Sequence, residues 1–311
     1  MVKQKTPKKP SITVAIPAYN EGKNIGNVLA SLLKQKFALT YLDKIVVYTD
    51  GSLDNTEEIV KEKMRTNKSI FLVHGKTQKG KFPRLNQIYQ DNTSDVLIVL
   101  DADIAIVGEW FVEKFALAIL TDKKAMIASA HEVPIIPKDF LGKVIASSYT
   151  MWDYIRLSVP DGDHVQNLYA RATAYRGSFV KTLSIPDKAT EERLYLYLMA
   201  KQKGGYRYTR DAEIRYLPVS TIYDYVKLSE RAFGRPQPAV NKLVGYDATY
   251  HYVIPRKYKI KGTLLSFMHD PVFTVLGMAL GIWLSRSTLS RHTSDSAMWE
   301  VSLSSKKSIK I

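Results

Sequence analysis

The chain has 311 residues, with 45 Lys and Arg against 30 Asp and Glu, a formal charge of +15, an apolar share of 45% and no cysteine. This composition is typical of a globular protein and excludes disordered, collagen-like and disulfide-stapled chains. The lack of cysteine excludes thiolate metal centres and catalytic thiols, so any metal ion has to be held by oxygen or imidazole. The positive excess predicts an anionic partner, which could be nucleic acid, a membrane surface or a phosphorylated substrate.

The first part of the chain alternates between apolar runs and helix-like stretches. Residues 1–10 are basic, and we interpret them as a solvated tail, with a lipid-binding arm as the alternative. The short apolar runs are rich in β-branched residues, which predicts strands buried on both faces. In chain order the predicted elements are strand 12–16, helix 24–36, strand 45–48, helix 54–65 opened by a capping pair of Asp54 and Glu57, strand 70–73, helix 82–91, strand 96–100, helix 109–120 and strand 125–130. This alternation predicts an α/β fold with a mostly parallel, Rossmann-like sheet and helices on both faces.

Beyond residue 130 the pattern changes, and two further helices are predicted at 139–158 and 190–203. The second begins with Glu191 and Glu192, whose charges suit the positive end of a helix dipole. We divide the chain into the tail, a main α/β domain, a connector and a C-terminal segment. The predicted bounds after the tail are 11–220 for the α/β domain, 221–262 for the helical, basic connector and 263–311 for the apolar segment and its tail.

The stretch 263–284 is apolar and follows a cluster of four basic residues within 256–261. Its uninterrupted apolar part is shorter than the roughly 20 residues that a spanning helix needs, and Asp270 and Pro271 interrupt the longer stretch. Lysine and arginine beside an apolar segment are typical of attraction to anionic lipid headgroups. We therefore predict an interfacial or re-entrant hairpin or a short membrane anchor, with a buried core helix as the alternative.

Ligands of open α/β sheets bind beyond the carboxyl ends of the strands, so the loops that follow the predicted strands are the candidate site. Asp101 and Asp103 follow the most hydrophobic strand, and two carboxylates spaced in this way can reach one divalent cation. Mg²⁺ and Mn²⁺ prefer oxygen ligands and bridge substrate phosphates. Two acids at such a depth would be costly without a cation. The sequence therefore predicts a Mn²⁺ or Mg²⁺ site beside a diphosphate.

The loop 75–81, Gly-Lys-Thr-Gln-Lys-Gly-Lys, nearly matches a phosphate-binding P-loop, but Phe82 stands where that motif needs Ser or Thr to reach Mg²⁺. A basic loop that neutralises a diphosphate explains the same residues. A P-loop-like nucleotide hydrolase and a basic nucleic-acid-binding protein remain as alternatives. Because the sequence shows no basic face studded with aromatic residues and no known module, we expect no nucleic-acid partner.

The order of the motifs after the strands resembles the family 2 glycosyltransferases of the GT-A fold. The motifs are Pro-Ala-Tyr-Asn-Glu at 17–21, Thr-Asp-Gly-Ser-Leu-Asp-Asn-Thr at 49–56, Lys-Gly-Lys at 79–81 and Asp-Ala-Asp at 101–103. The resemblance implies transfer of a sugar from a nucleoside diphosphate sugar, by default a UDP-sugar, to an acceptor hydroxyl with inversion. The residues that it places around the nucleotide-sugar are Pro17, Tyr19, Glu21, Asp50, Lys79, Lys81 and Asp101.

Within that set, the resemblance implies that Asp50 reads the nucleobase and that Asp103, with Asp101, binds the metal. Helix capping explains Glu21 nearly as well. Similar enzymes begin a later helix with a Glu-Asp pair whose acid is the general base, and here Glu192 occupies that position, with Glu191 as the alternative. Glutamate is one methylene longer than the usual aspartate, which changes the geometry but not the chemistry.

Processive relatives usually carry a Gln-x-x-Arg-Trp element, whereas residues 229–233 read Ser-Glu-Arg-Ala-Phe, which favours a non-processive enzyme. The basic, apolar C-terminal part predicts an enzyme held at the cytoplasmic face of a membrane. The expected acceptor is therefore a sugar, a lipid or a lipid-linked molecule.

Overall fold

The computed structural model of the chain describes residues 8–186, 192–232, 238–288 and 307–309. Most of the predicted tail at 1–10, part of the predicted C-terminal segment 263–311, and Glu191 lie outside these ranges. The described residues form an α/β structure in which a central sheet is covered by helices on both faces.

The sheet has eight strands within the described residues, in the order β3-β2-β1-β4-β7-β6-β8-β5. The strands are β1 (Ser11–Ala18), β2 (Tyr41–Thr49), β3 (Ile70–Val73), β4 (Val96–Leu100), β5 (Ile104–Ile106), β6 (Ala125–Pro134), β7 (Ala172–Arg176) and β8 (Gly205–Tyr216). Strands β1 to β4 are parallel, and β6 is parallel to β8. Strand β7 runs antiparallel between β4 and β6, and β5 runs antiparallel to β8. The mostly parallel sheet is confirmed, whereas β5, β7 and β8 were not predicted.

The helices alternate with the first strands and then accumulate after β8. They are α1 (Ile25–Leu33), α2 (Thr56–Thr66), α3 (Lys81–Asp91), α4 (Phe111–Leu120), α5 (Phe140–Leu157), α6 (Gly177–Val180), α7 (Glu192–Lys203), α8 (Ile222–Ala232), α9 (Pro238–Val244), α10 (Arg256–His269) and α11 (Pro271–Thr288). Helices α1, α2 and α4 bury apolar residues on one face of the sheet, while α3 and α7 do so on the other. Alternate residues of β1 point to the two faces, as a period of two requires.

The predicted capping pair at the start of α2 is wrong, because the N-cap residue is Asn55 and its side chain makes no capping hydrogen bond. Asp54, one residue earlier, accepts a hydrogen bond from the backbone N–H of Thr56 at 3.1 Å. Glu57 instead turns inward and accepts from the hydroxyl of Thr49 at 2.7 Å, with His74 Nδ1 also 2.7 Å away. It therefore ties α2 to the ends of β2 and β3 and does not cap its own helix.

Helices α10 and α11 pack on α5, and Asp270, which has an extended backbone, separates the two helices. Small residues make these contacts: a Cβ added to Gly262 would lie 2.3 Å from Cα of Ile155. A Cβ added to Gly277 would lie 2.4 Å from Oγ of Ser147. Among the described residues, no helix has the length and apolarity needed to cross a bilayer. The alternative of a buried core helix is wrong, because many large apolar side chains of both helices are exposed.

Candidate active site

The two predicted metal ligands lie at the carboxyl end of β4, where β7 begins beside it. Leu100 is paired with Ala172, and the N–H of Asp101 donates to the carbonyl of Arg171 at 2.8 Å. Asp101 and Asp103 are both half-buried, and Ala102 between them is buried. The antiparallel strand therefore places an arginine directly beside the two acids.

The environment of Asp101 fits a site for a cation. Burial raises the pKa of Asp101 to about 6, and the negative charges of Asp103 and Glu192 add to this, against the attraction of Lys81 and Arg171. Carboxylates that repel one another in a partly dry site are stabilised by a divalent ion. The described residues contain no cluster of three or more His, Asp or Glu that could hold a metal by itself. Two protein carboxylates thus fit an ion that takes its remaining ligands from water and substrate phosphates.

Lys81 and Glu192, predicted for different roles, form an ion pair. Lys81 begins α3, Glu192 is the first described residue of α7, and Nζ lies 2.7 Å from Oε1. Burial alone would raise the pKa of Glu192, but the Lys81 ammonium outweighs it and holds that pKa below its ordinary value. The carboxylate is therefore ionised, as a general base has to be, but the ammonium occupies one of its oxygens.

A second buried ion pair adjoins the acids and was missed in the sequence. Arg171 Nη1 donates to Oε2 of Glu132 at 2.7 Å, and the guanidinium lies 4.0 Å from the ring centre of Tyr216. Glu132 is 3% exposed, and burial raises its pKa despite the arginine. Its other oxygen, Oε1, has no hydrogen-bond partner among the described residues. Predicting this pair would have required knowing that β7 runs antiparallel beside β4 and that β6 lies on the other side of β7 in the sheet.

Asp50 is fully buried beneath the loop that precedes α3. Its carboxylate accepts hydrogen bonds from the backbone N–H groups of Lys79, at 3.0 Å, and Gly80, at 2.8 Å. Arg84 Nε donates to it as well, at 2.8 Å. A P-loop offers such amides to a phosphate, but here they bind an internal carboxylate. This geometry opposes the P-loop-like hydrolase, whereas the role of Asp50 in reading a nucleobase stays a prediction.

The remaining predicted nucleotide-binding residues lie at the end of β1, just after it, or after β3. Pro17 is buried within β1, Tyr19 is half-buried just after it, and Lys79 is exposed. Glu21 is 6% exposed, and its carbonyl accepts from the N–H groups that start α1, at 2.9 Å each. Its own N–H donates to Thr56 Oγ1 at 2.8 Å. The backbone of Glu21 therefore starts a helix, and the binding roles of all four residues stay predictions.

Comparison with known proteins identifies the class. The model of the family described as "Glycosyl transferase family 2" matches residues 13–184, which is more than half of the chain. The chain belongs to glycosyl transferase family 2. The class of enzyme expected from the order of motifs, a glycosyltransferase, is confirmed.

Curated relatives and solved structures agree with this assignment. A poly-β-1,6-N-acetyl-D-glucosamine synthase of Staphylococcus aureus is 34% identical over 96 residues, which are 30% of this chain and 22% of the relative. The mannosyltransferase PcManGT of Pyrobaculum calidifontis, solved with GDP-Man and Mn²⁺, has a TM-score of 0.57 at 16% identity and covers 92% of this chain and 77% of its own. TarS 1–349 of S. aureus, solved with UDP, has a TM-score of 0.52 at 17% identity, and the match covers 89% of this chain and 90% of TarS 1–349. The likeness to the two structures shows the GT-A fold.

Proposed function

We propose that this protein transfers a sugar from a nucleoside diphosphate sugar to an acceptor hydroxyl with inversion, in a reaction that depends on a divalent metal. The observation that supports this most directly is the meeting of Asp101, Asp103, Lys81 and Glu192 at one end of the sheet. In this set, Asp101 and Asp103 can bind a metal ion and the Lys81 ammonium can neutralise a diphosphate. The Glu192 carboxylate can accept a proton from a hydroxyl.

On the donor side, Asp101 and Asp103 would hold Mn²⁺ or Mg²⁺, with Asp103 the more direct ligand. When bound, the ion supplies positive charge where the leaving diphosphate becomes more negative. Lys81 adds a second positive charge near Asp101, since the Glu192 and Asp101 carboxylates keep its ammonium protonated against the effect of burial and hold its pKa above the ordinary value. Lys79, exposed on the same loop, is the second lysine proposed to lie near the diphosphate.

On the acceptor side, Glu192 takes the proton from the attacking hydroxyl. A diphosphate gives Lys81 a second anionic partner, so donor binding would loosen the 2.7 Å ion pair and release the carboxylate toward the acceptor. The freed, buried Glu192 carboxylate then accepts the proton of the acceptor hydroxyl as the hydroxyl oxygen attacks the anomeric carbon. A single displacement of this kind inverts the configuration at that carbon.

The donor nucleotide and the acceptor are the finer parts of the proposal. A UDP-sugar is proposed first because TarS was solved with UDP, and a GDP-sugar is the next choice because PcManGT was solved with GDP-Man and Mn²⁺. The proposed acceptor is a sugar, a lipid or a lipid-linked molecule at the cytoplasmic face of a membrane.

The first experiment measures release of nucleoside diphosphate from UDP-, GDP- and dTDP-sugars, with Mn²⁺, Mg²⁺ or EDTA, in the presence of a membrane lipid extract. We expect metal-dependent release from one donor. If no donor is turned over and none binds, the proposed function is wrong.

Two variants separate the roles. Asp103→Ala should abolish metal-dependent turnover, while Asp211→Ala, a change at an exposed acid, should leave it intact. Glu192→Gln should keep donor and metal binding but lower turnover by about 10²–10⁴-fold. Glu58→Gln, on the exposed side of α2, is its matched control. Full turnover by Glu192→Gln would overturn its role as the base.

A further inference from the structure

Helices α10 and α11 expose many large apolar side chains on the outside of the protein. Ten such residues of the two helices are exposed, among them Met268 at 80% and Val272 at 63%. We call this set the α10–α11 apolar face, and it comprises Ile260, Leu264, Leu265, Phe267, Met268, Val272, Val275, Met278, Ile282 and Trp283. Exposed apolar patches of this kind on one side of a protein mark an interaction surface.

The packing beneath this face differs from that of a helix in a water-soluble core. Four of the five buried positions described in the two helices hold small or hydroxyl-bearing residues, namely Gly262, Ser266, Thr274 and Gly277, and the fifth is Leu284, which clusters with Ile145 of α5. Ser266 and Thr274 bond to each other through their hydroxyls at 2.9 Å, and Ser147 Oγ of α5 donates to the carbonyl of Phe273 at 2.7 Å. Small residues at helix contacts with large apolar residues outside are typical of helices whose outer solvent is lipid.

The apolar face extends onto the start of α5. Phe140 is 66% exposed, and its ring centre lies 5.7 Å from that of Phe273. Lys143 places its Nζ 5.8 Å from the Phe273 ring centre, at the edge of the same surface. Strand β6, which leads into α5, runs parallel to β4 because both are antiparallel to β7. The start of α5 therefore follows the end of the sheet at which Asp101 lies.

The charged residues within α10 and α11 have one sign. The first turns of α10 contain four exposed cations, Arg256, Lys257, Lys259 and Lys261. Neither α10 nor α11 contains an acidic residue, and Asp270 between them accepts a hydrogen bond from the N–H of Phe273 at 3.1 Å. Basic side chains beside an apolar face complement a layer of anionic lipid headgroups.

We propose that the α10–α11 apolar face binds the surface of an anionic phospholipid bilayer. Both helices lie along the membrane, with the apolar side chains among the acyl chains and the lysines at the headgroup phosphates. Helix α5 covers their other side and links them to the catalytic sheet. Membrane binding thus brings the end of the sheet that holds Asp101 next to the lipid surface, where a lipid or lipid-linked acceptor would be presented.

The test uses the full chain and two kinds of vesicle, phosphatidylcholine alone and phosphatidylcholine mixed with phosphatidylglycerol. We expect the protein to float with the mixed vesicles, more weakly with the neutral ones, and less as salt is added. Trp283, which is 54% exposed, should shift its emission to the blue and be quenched by brominated acyl chains. Both signals should be lost in Trp283→Phe, which retains an apolar side chain.

Substitutions then separate the apolar and the charged contributions. Phe267→Glu should weaken binding by at least about tenfold, the loss expected when a buried apolar side chain is left out of the membrane. Phe71→Glu, at an exposed position on the edge strand β3, is the matched control and should bind as the wild type does. Replacing Lys257, Lys259 and Lys261 by Gln should cost about fivefold each on anionic vesicles and little on neutral ones.

The proposal is overturned if the wild type stays with neither kind of vesicle, or if Phe267→Glu floats as well as the wild type. It is also overturned if sedimentation shows a dimer that Phe267→Glu dissociates and no vesicle binds, because the face would then join two copies of the chain. None of these readouts requires sugar transfer, so this proposal and the proposed function can fail separately.

Discussion

Asp50 provides the sharpest test of the structure around the site. Its carboxylate has no exposed area and binds Arg84 together with the backbone N–H groups of Lys79 and Gly80. Asp50→Asn keeps the shape of the side chain but removes its charge. Arg84, itself only 5% exposed, is then left without its anionic partner. Breaking a buried pair on one side costs about 3–5 kcal/mol, and hydrogen bonds to a charged group contribute about 1.5–3 kcal/mol each.

We therefore expect Asp50→Asn to lower the free energy of unfolding by about 3–5 kcal/mol, measured by urea denaturation and by the melting temperature. Arg84→Met should also destabilise, and the double variant should lose less than the sum of the two, with a coupling energy above about 1 kcal/mol. Asp211→Asn, at an exposed position, is the control.

A loss below about 1 kcal/mol, or strict additivity, would refute the reasoning, because the ion pair would then contribute little. If stability is unchanged while nucleotide binding is lost, the carboxylate faces the nucleobase and does not hold the loop.

Three further predictions concern other parts of the molecule. Glu113→Gln should cost about 1.5–3 kcal/mol at neutral pH, because the Glu113 carboxylate accepts two backbone N–H groups and a hydroxyl from the chain leading into β2. Although burial acts to raise it, these bonds hold the pKa of Glu113 below its ordinary value. The contribution is therefore present above the unfolded-state pKa and is lost as the pH falls through the folded-state pKa. A gap between the wild-type and variant urea midpoints that does not shrink as the pH is lowered below the ordinary glutamate pKa would contradict it. Gly262→Ala should destabilise the protein by about 1–3 kcal/mol because the added Cβ would clash with α5. Gly281→Ala, whose added Cβ has no atom within 4 Å, should be neutral or stabilise by up to about 1 kcal/mol. Equal melting temperatures of the two variants would refute this difference. Lys81→Met should raise the pKa of Glu192 and move the acidic limb of the profile of kcat/KM for the donor, which reports the free enzyme, to higher pH. Lys81→Arg should leave the limb in place, and an unmoved limb in the Met variant would argue against the ion pair.

The sequence by itself determined the first half of the sheet and the class of the site. The predicted strands at 12–16, 45–48, 70–73 and 96–100 all lie within observed strands, because each is a short apolar run bounded by polar turn residues. The carboxyl ends of parallel strands meet at one edge, so the loops that follow them could be grouped without a structure. The order of those loops also indicated the family that the comparisons confirm.

Contacts between residues far apart in the chain were decided only by the tertiary structure. Arg171 lies beside Asp101 because β7 runs antiparallel to β4, and no local pattern around residue 171 reveals that pairing. The Lys81–Glu192 ion pair joins the first described turns of two helices from distant parts of the chain. The burial of Asp50 likewise depends on a loop that folds over it, which the type of residue alone does not show.

The C-terminal helices show the same division. The apolar composition of these helices and the interruption at Asp270 could be seen in the sequence. Composition, however, does not say which side of a helix is packed against the rest of the protein. The structure places Gly262 and Gly277 against α5 and most of the large apolar side chains outside, with Leu284 as a buried exception. Periodicity shows that a helix has distinct faces, whereas only packing against a neighbour decides which of those faces is buried.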